Sequence, residues 1–275
     1  DAGEQLVELA QNAPLAVATL DINLGTGYDE VIDGSNILEI NEDFFLTGVN
    51  TFNHSGLLDV NRNMVVNNRV DFQENRFYTA GEFNVGGDFA YLGGDHIDWV
   101  MLRAFDGTDI AGSTQIDLGD SVVAGDQGAL LMGPYMKFGS TLEVVSSNAS
   151  ALDLVALWQG NDYYSDISVD LGNGENTAYF RGNSNGINVS YLGGDGVDTV
   201  QYGISGVPAS AEIRLGLGDD VFRLGVEASL SYLLVDFGGG NDTFINDLVV
   251  FDFDADLLSL NGFDHFYRVA TNSLT

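Results

Sequence analysis

A repeat of twenty-two residues constrains this chain more than any other feature of its sequence. Each repeat holds a glycine-rich turn of six residues whose last residue is Asp or Asn. These last residues are Asn176, Asp198, Asp220 and Asp242. An apolar residue follows each turn at the same position, giving the column Ala178, Val200, Phe222 and Phe244. Apolar and polar residues alternate before each turn, which indicates strands with one buried face, and the fixed period indicates stacked coils.

The repeat predicts an all-β fold in which each coil lies in parallel on the previous one. We expect a right-handed parallel β-helix with coils of about 22 residues, or a wide β-roll as the alternative. No single coil can bury its apolar residues alone, so stacking makes one continuous core. We expect an N-terminal cap at 1–14, the β-helix at 15–260 and a C-terminal cap at 261–275.

The ends and the irregular stretches carry more specific expectations. Residues 4–11 have an apolar side and precede Pro14, which predicts a short helix that covers the open end of the stack. The aromatic segment from Phe263 to Tyr267 is expected to fold over the other end. Residues 129–165 are interpreted as irregular. Short strands are expected between the motifs, at 37–40, 57–60, 64–66, 70–72 and 249–258.

The glycine-rich turns have the composition of an oxygen-based metal site. Glycine permits positive φ and close backbone approach, and Asp or Asn adds a side-chain oxygen. Coils about 4.8 Å apart would bring these oxygens together, which suits Ca²⁺ with its roughly 6–8 oxygen ligands. Neighbouring glycine carbonyls would complete the shells. The candidate ligands are Asp29, Asp95, Asp98, Asp195, Asp198, Asp219, Asp220, Asn241 and Asp242. The alternative is that glycine with Asp or Asn only forms tight turns.

Two of the turns also resemble a known family. Residues 193–200 (GGDGVDTV) and 237–244 (FGGGNDTF) are similar to the nonapeptide of the repeats-in-toxin (RTX) calcium-binding proteins. The resemblance implies calcium between the turns and secretion to the cell exterior. This chain departs from the family pattern because one motif occurs per twenty-two residues, whereas the family has two glycine-rich turns per coil.

Composition excludes several classes of partner and site. The chain has 41 acidic and 9 basic residues and a formal net charge of −32, so electrostatics disfavour nucleic acid and anionic membranes. It has no cysteine, which excludes disulfides and thiolate metal sites. No apolar run is long enough for a membrane span. With 45% hydrophobic residues it is not a disordered acidic tail.

Two functions of different classes follow. The first is a non-enzymatic, secreted or bacterial cell-surface protein that binds calcium, has a structural or adhesive role, and associates with itself or with a surface glycan or protein. The second is a carbohydrate-active enzyme or glycan-binding module on a β-helix. Aspartates are too numerous to single out a catalytic pair, and we assign no catalytic residue. Exposed aromatics and clustered carboxylates within 129–165 would favour the second function.

Overall fold

The computed structural model of this chain is a parallel β-solenoid. It describes residues 4–9, 13–69, 74–95, 97–103, 108–119, 127–133, 136–146, 152–158, 162–207, 209–248 and 258–268. Within these ranges there is no helix, and every pairing between named strands is parallel. The strands lie on three faces, which we number in the order in which the chain first meets them.

The first face follows the glycine-rich turns. Its strands are β1 (Gln5–Leu9), β4 (Asp29–Asp33), β7 (Thr51–His54), β10 (Asn75–Thr79), β13 (Asp98–Leu102), β16 (Gln127–Met132), β19 (Leu152–Leu157), β22 (Thr177–Asn185), β24 (Thr199–Val207), β26 (Val221–Leu224), β28 (Thr243–Asn246) and β30 (His265–Arg268).

The second face comes next along each coil. Its strands are β2 (Leu15–Val17), β5 (Ile37–Ile40), β8 (Leu57–Val60), β11 (Phe83–Val85), β14 (Thr108–Ile110), β17 (Met136–Phe138) and β20 (Asp162–Tyr163). β20 pairs with the distal half of β22, where Asp162 lies beside Asn183. The long strands β22 and β24 therefore run from the first face into the second and join the two faces into one sheet.

The third face precedes the glycine-rich turns and forms a separate sheet. Its strands are β3 (Leu20–Asn23), β6 (Phe44–Thr47), β9 (Met64–Asn67), β12 (Phe89–Leu92), β15 (Thr114–Asp117), β18 (Leu142–Val145), β21 (Ile167–Gly172), β23 (Asn188–Gly193), β25 (Ala209–Arg214), β27 (Leu230–Asp236) and β29 (Leu258–Asn261).

Coil length is regular only toward the C-terminus. On the first face Thr177 pairs with Thr199, and the register continues in steps of 22 residues to His265. In the middle of the chain Trp99 pairs with Ala129 and Ala129 with Leu154, which are steps of 30 and 25 residues. Parallel stacking therefore persists through coils of different length, because the longer segments fall between the strands.

In the interior, the side chains at equivalent positions of successive coils stack into columns. Ala178, Val200, Phe222 and Phe244 occupy one column, as predicted, and each is fully buried. The rings of Phe222 and Phe244 stack with centroids 5.9 Å apart. One contiguous cluster of buried apolar side chains extends from Ile22 to Phe244. The core is therefore continuous along the stack.

The prediction of a helix at residues 4–11 is wrong. Gln5–Leu9 is strand β1, which pairs in parallel with β4. Val7 and Leu9 are half-buried, whereas Leu6 is 57% exposed, so the segment follows the period of a strand. Pairing with β4 supplies the backbone hydrogen bonds that a short isolated helix would have to make within itself. The coils consequently begin before residue 15.

The other strands and segments predicted from the sequence agree with the structure only in part. Strands were correctly expected at 37–40, 57–60 and 64–66, whereas 70–72 and 249–257 lie outside the described residues. The irregular interpretation of 129–165 is wrong, because the described strands β16 to β20 keep the ladder register. At the C-terminal end β30 continues the first face, and the ring of Phe263 lies 5.9 Å from that of Phe237. The proposed domain bounds remain predictions.

Candidate metal centre

The residues that end the glycine-rich turns lie in one buried column together with the residues of other coils at the same register position, and we call it the inner column. It lies where the third face passes into the first. Its buried polar members are Asp29, Asn50, Asn75, Asp98, Asp153, Asn176, Asp198, Asp220 and Asp242, each at most 3% exposed. The prediction that Asp198, Asp220 and Asp242 share one column is confirmed, because the carboxylates of Asp220 and Asp242 each accept the amide of the aspartate in the preceding coil.

One oxygen of each carboxylate holds two coils together. The Asp198 amide donates to Asp220 Oδ1 at 2.8 Å, and the Asp220 amide donates to Asp242 Oδ1 at 2.8 Å. At other levels the Gln5 amide donates to Asp29 and the Gly128 amide donates to Asp153. A side-chain acceptor therefore satisfies a backbone donor that the strand ladder leaves free.

The second carboxylate oxygen is buried without a hydrogen-bond partner in the structure. This holds for Oδ2 of Asp29, Asp153, Asp198, Asp220 and Asp242. A buried anionic oxygen with no donor is unfavourable, because burial removes its hydration and nothing replaces it. Either a proton or a cation has to compensate the charge at these positions.

Burial raises the pKa of several inner-column carboxyls and so favours their neutral, protonated form. Desolvation, followed by the charge of Asp220, raises the pKa of Asp198 to about 7. Desolvation raises the pKa of Asp220 to about 6 and also raises the pKa of Asp242. The pKa of Asp153 rises to about 6 for the same first reason. Asp198, Asp220 and Asp153 therefore retain protons at a higher pH than an ordinary aspartate does.

Between Asp29 and Asp98 the inner column contains amide side chains in place of carboxylates. The Asp29 amide donates to Asn50 Oδ1 at 2.7 Å, Asn50 Nδ2 donates to Asn75 Oδ1 at 3.3 Å, and Asn75 Nδ2 donates to Asp98 Oδ1 at 3.0 Å. The Tyr91 hydroxyl also donates to Asp98 Oδ1 at 2.6 Å, and the Gly94 amide donates to Oδ2 at 3.0 Å. Both oxygens of Asp98 are thus satisfied by the chain itself.

The C-terminal aspartates lack these donors. Tyr191 is the counterpart of Tyr91, and its hydroxyl donates to Asp198 Oδ1 at 3.2 Å. One coil later Ile213 takes the place of Tyr191, and in the next coil Val235 does. The carboxylates of Asp220 and Asp242 therefore receive no tyrosine hydroxyl, and the Oδ2 atom of each is buried without a hydrogen-bond partner.

The other expected ligands lie outside the inner column. Asp95 is half-buried, and Asp195, Asp219 and Asn241 are exposed. Asp195 stands beside Leu217 in the next coil rather than beside another carboxylate. The Asn241 amide donates to Asp219 Oδ1 at 2.9 Å. Among the described residues, no three His, Asp or Glu side chains come together as a metal site.

The glycine carbonyls expected to complete ligand shells already accept hydrogen bonds between coils. Gly194 O accepts from the Leu217 amide and Gly216 O accepts from the Gly239 amide, both at 2.9 Å. Each carbonyl retains a second lone pair. The atoms at the turn that could coordinate a metal are thus all oxygens, which is the ligand type that Ca²⁺ takes. They include one unpartnered carboxylate oxygen per coil from Asp198 to Asp242.

Close stacking of the turns explains the first glycine of the turn at 237–242. Gly238 has φ +74°, and a Cβ there would lie 1.8 Å from the carbonyl oxygen of Gly216 in the preceding coil. At the adjacent Gly239 a Cβ would meet only the end of the Leu217 side chain, at 3.4 Å. The two neighbours therefore form a matched pair for substitution.

We expect Gly238→Ala to lower the free energy of unfolding by roughly 2–4 kcal/mol, since it adds left-handed strain to a clash with the backbone. Gly239→Ala should change it by less than about 1 kcal/mol. Urea denaturation of both variants measures the difference. Equal effects would show that the turns are not packed as closely as described.

Sequence reasoning missed Asp153 as a member of the inner column. Its coil is longer than twenty-two residues and has no glycine-rich turn, so a fixed period does not reach it. The pairing of Gly128 with Asp153 in the ladder is the signal that identifies it.

Within the described residues no helix has the length and apolar character needed to cross a membrane. Comparison with protein-family models, with curated proteins and with solved structures gives no match to this chain.

Proposed function

We propose that this chain is a non-enzymatic, calcium-binding structural or adhesion protein, secreted or held at a bacterial cell surface. The observation that supports calcium is the run of buried, unpartnered carboxylate oxygens at Asp198, Asp220 and Asp242. A divalent cation between turns would neutralise them and would bind only the folded stack. The RTX-like motifs at 193–200 and 237–244 agree with this proposal. We also propose that the solenoid is right-handed, because crossovers between parallel strands are generally right-handed.

The proposal includes assembly of the solenoids. A formal net charge of −32 makes copies of the chain repel one another, and bound divalent ions would reduce that repulsion. Self-association should therefore require calcium. Sedimentation velocity in calcium and in chelator tests this part separately from metal binding itself.

Thermal melting with and without calcium tests the proposed metal. A ligand bound only by the folded state stabilises it by RT ln(1 + [L]/Kd), about 2.7 kcal/mol at a hundredfold excess over Kd. We expect a chelator to lower the melting temperature and calcium to restore it. Magnesium should substitute poorly, because it requires near-octahedral geometry and retains its waters.

A triple variant locates the effect. Asp198→Asn, Asp220→Asn and Asp242→Asn together retain the Oδ1 acceptors and remove the charges, so the calcium-dependent rise in melting temperature should disappear. Asp109→Asn, an exposed position on the second face, is the matched control and should retain the rise. Nil calcium content after dialysis, with unchanged melting in chelator, would show that the inner column is structural only.

Hydrogen exchange should show where chelation acts. The amides of Asp198 and Asp220 donate to inner-column carboxylates, whereas the amide of Asp29 donates to Asn50. We expect chelation to increase exchange at residues 198 and 220 and to leave residue 29 unchanged. A uniform loss of protection along the whole stack would contradict a C-terminal metal site.

A further inference from the structure

The outward surface of the first face differs from the rest of this acidic chain. Six half-buried apolar side chains follow one another across β10, β13, β16, β19 and β22, and we call them the aromatic strip. They are Tyr78, Trp99, Met101, Leu131, Leu154 and Tyr179. Register places Trp99 beside Ala129 and Met101 beside Leu131, so the strip crosses the strands along the solenoid axis.

The first face carries few carboxylates around the aromatic strip, and Glu74, directly before β10, is paired with Arg76 at 2.7 Å. From β7 through β22 the outward positions at the described first-face residues contain no Asp or Glu, although the chain has 41 acidic residues. The second face differs, since Glu39 stands beside Asp59 in register. Desolvation, followed by the charges of Glu39 and Glu82, raises the pKa of Asp59. Arg76, which is paired with Glu74, and Arg181 border the strip.

Two cavities open on the aromatic strip. One of about 430 Å³ is lined by Tyr78, Trp99 and Met101 together with Asn53 and Arg76. The other, of about 310 Å³, is lined by Leu131, Leu154, Ala156, Trp158, Tyr179 and Arg181. These volumes lie at the lower end of the roughly 300–1,000 Å³ of small-molecule sites. Both tryptophans of the chain line these two cavities.

The chemistry of the strip selects among possible occupants. β13 already pairs with β10 and β16, so its backbone groups cannot accept an added peptide strand. A polyanion would be repelled by the net charge of −32. Aromatic rings with adjacent Asn and Arg donors suit sugar rings, because a pyranose has an apolar C–H face and a rim of hydroxyl groups.

We propose that the aromatic strip binds a neutral glycan chain of β-linked hexopyranoses, laid along the solenoid axis. Trp99 and Tyr179 are three coil steps apart, which is roughly 14 Å at the spacing of paired strands. That length fits an oligosaccharide rather than a single sugar, and the flat sheet surface favours an extended β-linked chain over a coiled α-linked one. This proposal does not depend on calcium.

Binding of cellohexaose and mannohexaose tests the proposal, with maltohexaose and hexagalacturonate as α-linked and acidic comparisons. Tryptophan fluorescence and calorimetry are suitable readouts because Trp99 and Trp158 both line the cavities. We expect at least one of the two β-linked neutral hexasaccharides to bind and both comparisons to bind at least tenfold more weakly. The measurements are repeated in chelator, so failure of calcium binding and failure of glycan binding are distinguished.

Variants decide whether the strip is responsible. Trp99→Ala and Tyr179→Ala should each weaken binding at least tenfold, whereas Trp99→Phe, which retains a ring, should restore most of it. Tyr232→Ala removes a 40%-exposed aromatic from the third face and should leave binding unchanged. Unchanged melting temperatures confirm that the variants fold.

Three results would overturn the proposal. They are absence of binding by both neutral β-linked hexasaccharides at millimolar concentration, equal binding by wild type and Trp99→Ala, and a wild-type dimer that Trp99→Ala dissociates. The last result would assign the strip to contact between copies of this chain.

Discussion

The metal-free protein should lose stability as the pH rises from about 5 to about 8. Burial raises the pKa of Asp98 and Asp198 to about 7 and the pKa of Asp153 and Asp220 to about 6, against an ordinary value of 3.8. Between the ordinary and the raised pKa, the folded chain holds protons that the unfolded chain has released. Stability is then fully present below the ordinary pKa and is lost as the pH rises through the raised one.

The expected effect is large because several groups act in the same direction. Each pH unit inside the window removes up to about 1.4 kcal/mol per group. A group with a raised pKa of about 7 should therefore lose roughly 2–3 kcal/mol between pH 5 and pH 8. Urea denaturation in chelator across this range measures the sum.

The inner-column variants provide the control for this pH dependence. The triple variant Asp198→Asn, Asp220→Asn and Asp242→Asn should show a flatter profile, because these positions no longer titrate. Calcium should also flatten the profile, since metal binding displaces protons. Stability that increased with pH in the absence of metal would contradict the assignment of buried, uncompensated carboxylates.

Phe222→Ala should cause one of the largest losses of stability of any single substitution, roughly 3–5 kcal/mol. Phe222 is fully buried, and its ring stacks on that of Phe244 in the next coil. Removing the ring leaves a cavity. The strand β26 cannot move inward to fill it because β26 pairs with β24 on one side and β28 on the other. Urea denaturation measures the loss.

Tyr164→Ala is a suitable control for that experiment because Tyr164 is 53% exposed, and it should change stability by less than about 0.5 kcal/mol. A loss below about 1 kcal/mol for Phe222→Ala would place the column at the surface.

The stacking could be predicted from the sequence because side-chain alternation and coil period depend on local geometry alone. The predictions fail where a segment fits two patterns equally well or where the coil length departs from the fixed period. In residues 4–11 the apolar positions fit a helix as well as a strand, and the pairing of β1 with β4 decides between them. In the middle coils the length changes while the register does not, so a fixed period misses Asp153.

The candidate site was predicted only in part for a related reason. A twenty-two-residue period correctly aligns Asp198, Asp220 and Asp242, but it places Asp195 at the third position of its turn and Asp219 at the fifth. Side chains at different positions of successive turns do not stack. Which oxygens lack donors depends on neighbours such as Tyr91 and Tyr191 in the preceding strand, and a motif does not specify them.

The unequal composition of the inner column has a consequence for the order of folding. Coils containing Asn50 and Asn75 supply their own hydrogen-bond donors, so they can nucleate without any ion. Coils containing Asp220 and Asp242 bury carboxylate oxygens without donors, so they form at a greater cost and gain a template from the coils already formed. Folding should therefore be vectorial, starting in the amide-rich coils and propagating toward the C-terminus.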